Sequence, residues 1–333
     1  MKKIAFAGFR HPHIFTFYQL VLDNPDVEIV AAFEENEDAR KAAVEKAGVN
    51  FNCESYEELL NRADVDIVAI GDYYGKRGQM AIAALKAGKH IYSDKPLCTS
   101  LEELDEIEKL SKETGLKVGC MLDVRYHSWV EPVKEFIASG KIGEVHNMSF
   151  GGQHPLMYGT RAGWYFEEGK HGGTINDIAI HGIDLLQYIT GLSVKRIVGA
   201  RTWNAYAKEV SYFDDCGQFM LEMSNGAGLM ADVSYAAPNS CGYNLPYYWR
   251  FNIWGTKGVL EFSYNDKNFY AAIDGTDGVE KIELPEVDTG DCLKEFIKEL
   301  DGSFSKIDTA WTIKVTRDAL SIQKAADNSV KKA

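Results

Sequence analysis

A chain of 333 residues with 45% hydrophobic content is long enough for two domains, each with a core of its own. Its formal net charge of −13 argues against a nucleic-acid or anionic-membrane partner, since such surfaces call for clustered lysine and arginine. The cysteines Cys53, Cys98, Cys120, Cys216, Cys241 and Cys292 form no C-x-x-C pair, so reduced thiols are expected rather than a disulfide framework or a structural zinc site.

Met1-Lys2-Lys3 opens like a signal peptide, but Arg10, His11 and Pro12 interrupt the apolar run 4–9 before an h-region forms, which leads us to expect a cytoplasmic protein. Strand-like runs at 3–7, 28–33, 67–70, 89–93 and 117–121 then alternate with helical patterns at about 13–22, 37–47, 77–87 and 100–114. This rhythm predicts βαβ units, hence a parallel sheet with helices on both faces. Gly88 and Gly115 fall just past helical stretches, where a C′ glycine belongs. A dinucleotide fold would place a glycine-rich turn after its first strand. Here that turn reads Gly8-Phe9-Arg10-His11-Pro12-His13, with only the first glycine kept. Arg10 could bind phosphate by charge, whereas a side chain at the second glycine position blocks the closest backbone approach. Glu34, at the end of the second strand, could accept both ribose hydroxyls and repel a 2′-phosphate, favouring NAD over NADP. It could equally be the first acid of a solvated helix start. Asp94-Lys95-Pro96 follows the strand-like run 89–93, and a lysine held there by proline is better suited to polarising an oxygen or holding a cofactor than to core packing.

Beyond residue 121 the pattern changes to an α+β domain with an open, largely antiparallel mixed sheet. A helical stretch near 130–139 precedes a strand-like run at 144–151, and further strands are expected at 194–203, 218–222, 229–235, 248–254, 259–264 and 269–273. Turn signals at 225–226, 255–258 and 274–275 separate them. The expected division is therefore 1–122 and 123–333. The uncharged stretch 233–249 contains Pro238, Asn239, Asn244 and Pro246, so it does not read as a membrane span. The aromatic residues Tyr235, Tyr243, Tyr247, Tyr248, Trp249, Phe251 and Trp254 either bury one sheet face against another subunit, giving a homodimer or homotetramer, or pack the domain's own core. The lysines near the C-terminus read as a solvated tail.

Between these regions, Asp177 and His181 stand four positions apart among Ile178, Ile180, Ile183, Leu185 and Leu186. On a helix they share one face of a largely buried element. Taken alone, the pair reads as a core histidine held by a neighbouring acid. Asp184 could complete a metal set with them, but no further His or Cys lies at ligand spacing, and no metal is expected.

The chain resembles the Gfo/Idh/MocA oxidoreductase family over essentially its whole length. The resemblance rests on the segment from Ala83 to Leu97, with Asp94 in place of the family's Glu before Lys-Pro, on Gly140-Lys141-Ile142-Gly143-Glu144-Val145, on 172–184 and on Gly255-Thr256-Lys257-Gly258. It implies an N-terminal Rossmann domain, a C-terminal domain built on an open mixed sheet, NAD(P) at the strand ends, and a sugar, inositol or related polyol as substrate. It implies catalytic roles for Lys95, Asp177 and His181. Gly8, Phe9, Arg10, Glu34, Asp72, Tyr73, Asp94 and Lys95 would line the cofactor. Asp123, Arg125, His154 and Trp164 would line the substrate pocket. Three departures stand out: the first turn, Gly71-Asp72-Tyr73-Tyr74-Gly75-Lys76-Arg77 in place of Thr-Pro-Asn and a following His, and His171 at the first place of a Gly-Gly-Gly run. The expected activity is hydride transfer between NAD, preferred over NADP, and a carbohydrate or polyol hydroxyl. Competing readings are a non-catalytic ligand-sensing protein of this fold and an NAD-assisted glycoside hydrolase.

Overall fold

Apolar runs between capped helices organise the first unit. In a computed structural model describing residues 1–245, 248–284 and 289–330, β1 (Lys2–Ala7), β2 (Val27–Phe33), β3 (Ile67–Ile70), β4 (His90–Ser93) and β5 (Val118–Cys120) pair in parallel in the order β2-β1-β3-β4-β5. Every residue of β3 is buried, as expected of a parallel strand covered on both faces. The connecting helices are α1 (His13–Leu22), α2 (Glu37–Ala47), α3 (Tyr56–Leu60), α4 (Tyr74–Lys86) and α5 (Leu101–Thr114). The side chains of Asn36, Ser55 and Ser100 accept the N–H of Ala39, Glu58 and Glu103, satisfying donors that a helix start leaves open. The expected doubly wound α/β arrangement is present. Helix α4 begins ahead of the expected residue 77 because Tyr73 and Tyr74 already belong to its start. Helix α3 has five residues, too few to show a period.

Eight strands build the second unit: β6 (Val145–Pro155), β7 (Val194–Trp203), β8 (Cys216–Met223), β9 (Gly228–Ala237), β10 (Trp249–Gly255), β11 (Gly258–Ser263), β12 (Asn268–Ile273) and β13 (Glu280–Glu283). Their order is β13-β12-β11-β10-β6-β9-β8-β7, with β6 and β9 parallel and every other pair antiparallel. Met148 and Phe150 of β6, Phe251 and Ile253 of β10, and Leu260 and Phe262 of β11 are buried at alternate positions, which defines the core face. Helices α6 (Val130–Ala138) and α7 (Ile180–Thr190) belong to this unit. Gly182 lets α7 lie against β6, since a Cβ there would stand 2.3 Å from the Phe150 ring.

The expected aromatic cover of an open face divides differently. Tyr235, Trp249 and Phe251 are buried in the unit's own core, while Trp254 and Tyr243 are exposed. Tyr247, Pro246, Lys331 and Lys332 lie outside the described residues. The first unit takes in Met1–Met121, and also Ala162–Gly172 and Asp291–Arg317, two segments the sequence placed in the second domain. No element was expected after residue 273, yet β13, α8 (Cys292–Leu300) and α9 (Thr309–Val330) follow. Strand β13 has one apolar residue, Ile282, and α9 opens with β-branched Thr309, Thr312, Ile313, Val315 and Thr316, which blur the helical signal. Among the described residues no helix is long and apolar enough to cross a membrane.

Candidate functional site

Parallel strands carry Gly8, Glu34, Asp72 and Asp94 to one edge of the first unit's sheet, where α/β folds bind ligands. Gly8 has φ +86°, and a Cβ on it would fall 2.6 Å from the Asp72 backbone nitrogen. The one retained glycine is therefore the one that this close approach requires. The rest of the turn closes on the protein itself. Arg10 and His11 N–H both donate to the Gly71 carbonyl, at 2.9 and 3.3 Å, and Phe9 N–H donates to Glu34 Oε2 at 2.6 Å. Glu34 Oε1 accepts the Asn36 N–H at 2.8 Å. Burial pushes the Glu34 carboxyl above the ordinary carboxylate range, with the Asn36 and Phe9 amides pulling against it. The Phe9 ring is buried against Phe6, Phe15, Tyr18 and Phe51. Asp72 pairs with Lys76 at 3.1 Å, and Tyr73 lies beneath the Arg10 guanidinium at 5.7 Å.

Asp94 is wholly buried at the end of β4. Its Oδ2 accepts from His11 Nδ1 at 2.6 Å and from Arg77 at 3.1 Å. Against the raising effect of burial, His11 and Arg77 hold this carboxyl well below the carboxylate range. Burial keeps His11 neutral, with its pKa lowered to about 3, so Arg77 is the partner charged at neutral pH. Arg77 also donates to the carbonyls of Asp72, Lys95 and Pro96, bracing the cis Lys95–Pro96 peptide. Lys95 is buried, its Nζ 6.0 Å from the Tyr74 ring centroid. Trp164 belongs to this unit: its indole N–H donates to the Arg10 carbonyl at 3.2 Å and its ring packs on Tyr74 and Tyr165. The sequence grouped it with Asp123, Arg125 and His154, which belong to the other unit. His171 packs beside Tyr74 and Tyr165.

In the second unit, Asp177 sits within a π turn, Ile175–Ala179, that runs directly into α7, where His181 lies. The expected uniform α-helix is thus widened at the acid, a feature frequent at functional sites. Gln323 caps this start, its Oε1 accepting the N–H of Ile175 and Asn176. Asp177 and His181 are both buried. The Tyr235 hydroxyl donates to Asp177 Oδ2. His181 Nδ1 stands 3.7 Å from Asp123 Oδ1, and its ring meets Trp249 edge-on at 5.9 Å. Trp249 also touches His154 at 5.6 Å, and His154 lies against Tyr248 at 4.8 Å. The structure therefore gathers Asp123, His154, Asp177 and His181 around Trp249 and Tyr235. Arg125 is engaged elsewhere, in a buried bidentate pair with Asp184 and over the Tyr188 ring at 3.8 Å. That pair also occupies the acid considered above as a third metal ligand.

Arg77, His11 and Tyr235 were missed as partners of site residues. No local signal separated Arg77 from Lys76 beside it in the first turn of α4. Nothing local pointed to Tyr235, which is 58 positions from Asp177.

Comparison with known proteins agrees with this geometry. Residues 3–121 match the oxidoreductase family with an NAD-binding Rossmann fold, and residues 130–261 match the Gfo/Idh/MocA C-terminal domain. The chain belongs to the Gfo/Idh/MocA oxidoreductase family. It is 25% identical over 240 residues to the uncharacterized oxidoreductase YrbE of Bacillus subtilis, covering 70% of this chain and 66% of that protein. Against the myo-inositol 2-dehydrogenase of Thermotoga maritima it is 26% identical over 235 residues, with 71% and 67% covered. A solved structure from Erwinia carotovora atroseptica superposes with a TM-score of 0.86 at 25% identity, over 98% of this chain and 99% of that one. The strand-end residues suit the dinucleotide implied by this Gfo/Idh/MocA membership. Gly8 admits the close packing of the Asp72 backbone at the strand ends, and Glu34 offers a buried carboxylate there. The Arg10 and His11 amides are taken by the Gly71 carbonyl, so this turn offers no glycine-rich amide cradle.

Proposed function

We propose that this protein is an NAD(P)-dependent oxidoreductase acting on a hydroxyl of a sugar, inositol or related polyol, with NAD preferred over NADP. The observation that carries this reading is the buried acid and imidazole at the π turn, Asp177 bonded by Tyr235 and His181 facing Asp123, in a chain of an oxidoreductase family. A bound nicotinamide supplies the hydride acceptor or donor. Removing a hydride from a carbinol carbon requires that the hydroxyl proton leave as well, and imidazole is the side chain that exchanges a proton near neutrality. His181 takes that proton, and the Asp123 carboxylate stabilises the resulting imidazolium. Asp177, oriented by Tyr235, accepts a substrate hydroxyl, and His154 lines the pocket. In the first unit, Lys95 stabilises developing negative charge. Arg10 holds phosphate, and Glu34 accepts ribose hydroxyls and repels a 2′-phosphate.

The test is calorimetric titration with NAD(H) and NADP(H), followed by a panel of inositols, aldoses and sugar acids scored by NADH absorbance. Resemblance to a myo-inositol 2-dehydrogenase puts inositols first in that panel. Tighter binding of NAD(H) and turnover of a panel member are expected; binding of neither dinucleotide removes the reading. The closure of the Arg10 and His11 amides on Gly71 favours a ligand-sensing protein as the second reading. Dinucleotide binding without turnover across the panel would select it.

A further inference from the structure

The geometry points to a second kind of site in the first unit: one divalent transition-metal ion held by His11, His13 and Asp94. His11 lies in the turn after β1, His13 is the first residue of α1, and Asp94 follows β4. Each offers one ligand atom, and these atoms lie within 4.8 Å of one another. Asp94 divides its two oxygens unequally. Oδ2 is bonded by His11 and Arg77, whereas Oδ1, although buried, has no hydrogen-bond partner. Facing it at 3.5 Å is His13 Nδ1, which also has none.

An N···O separation of 3.5 Å exceeds the usual hydrogen-bond range. It is nevertheless what two ligands each about 2.1 Å from a shared metal span at roughly 110°, the tetrahedral angle that zinc prefers. Two neutral imidazoles and a carboxylate suit zinc, cobalt, nickel or ferrous iron better than calcium or magnesium, which prefer all-oxygen sets. His11 closes the set by exchanging its hydrogen bond to Asp94 for the metal. Arg77 remains on Oδ2 as the outer partner that orients the carboxylate. Its charge weakens the site without occupying the ligating oxygen. The rings of Tyr74 and Trp164, 5.3 and 6.5 Å from His11, shield one side. Three protein ligands leave a fourth position open, as in zinc sites that exchange water or substrate. This site does not depend on the dehydrogenase reading, because metal uptake is measured without dinucleotide.

The test is titration of cobalt(II) into the full chain, prepared without a histidine tag and stripped by chelator. One equivalent is expected, with the visible d–d absorption of tetrahedral nitrogen and oxygen ligation, displaced by zinc. His13 is part-exposed at a helix start, so His13→Asn should fold, and it should bind cobalt at least about tenfold more weakly. Asp94→Asn keeps the shape of the buried group while removing the anionic ligand and, once shown to be folded by near-UV circular dichroism, should weaken binding further. Absence of stoichiometric uptake, uptake undiminished in His13→Asn, or the intense near-ultraviolet band of cobalt bound to cysteine would each overturn the proposal.

Discussion

Tyr235, Asp177 and His181 show how much of the chemistry is set by single contacts. Removing the hydroxyl that serves a buried carboxylate leaves an acceptor to be satisfied in a poorly solvated place. Tyr235→Phe, which keeps the ring against Phe213 and His154, should therefore lower unfolding free energy by about 1.5–3 kcal/mol in urea denaturation; an unchanged midpoint and slope would show that the bond contributes nothing. His181→Asn should lower turnover by roughly 10²- to 10⁴-fold while dinucleotide affinity holds, and near wild-type turnover would remove His181 as the base. His127 sets a pH dependence. Burial against Trp129 and Tyr264 brings its pKa from the ordinary 6.5 down to about 4. Between those values the unfolded chain binds a proton that the folded chain refuses, so this stability is full above pH 6.5 and falls as pH drops towards 4. At pH 5 the loss should be about 2 kcal/mol relative to pH 7. His90, half-buried and also lowered, acts with the same sign, so the measurement is the difference between the wild type and His127→Gln, whose stability should decline less. Equal declines would show that His127 is not the source.

Elements were legible where their own residues carry the pattern. The runs at 67–70 and 194–203 coincide with β3 and β7, and the pattern at 13–22 coincides with α1, because apolar periodicity and caps are local. What remained hidden depends on distant partners. The π turn inserts one residue's worth of winding that periodicity does not register, and it is held by Gln323 from α9. The buried role of Arg77 depends on carbonyls of Asp94's neighbours, Lys95 and Pro96, 18 and 19 positions away. Of the candidate site, Asp177 and His181 were visible as a buried polar pair, whereas the diversion of Arg125 to Asp184 needed the fold. Gly182 tests the packing that positions His181. Alanine in a helix interior should gain about 1 kcal/mol from propensity. Its Cβ, however, would sit 2.3 Å from the Phe150 ring, which is itself packed on Phe219 and Phe251, and overpacking costs about 1–3 kcal/mol. Gly182→Ala should therefore destabilise on balance, with turnover lowered as α7 is pushed from β6. A stabilised protein with unchanged turnover would show that the ring yields freely.

At the scale of the whole molecule, the face of the second unit's sheet turned away from its core poses the remaining question. Val198, Met220, Met230 and Trp254 are 48, 44, 50 and 48% exposed, and Val198, Met220 and Met230 border a broad hollow of about 1050 Å³ together with Phe219 and Ala231. Soluble monomers rarely leave large contiguous apolar patches uncovered. We therefore expect a second copy of the chain to cover this one, giving a dimer or tetramer of C2-type symmetry. Met220 and Met230 stand directly opposite each other on β8 and β9, so they can be changed together without stranding a charge. Met220→Lys with Met230→Glu places a complementary pair across the strands, which supports the monomer fold, and it leaves the net charge of −13 unaltered. The same pair sets charges where a partner's apolar side chains would need to pack, and burying them there is unfavourable. Light scattering at micromolar concentration should return an oligomer for the wild type and a shift towards 37.2 kDa for the double variant, with the thermal midpoint of the fold retained. A wild type that already scatters as a 37.2 kDa monomer, or a double variant that assembles as fully as the wild type, would show that this face is not where copies of the chain meet.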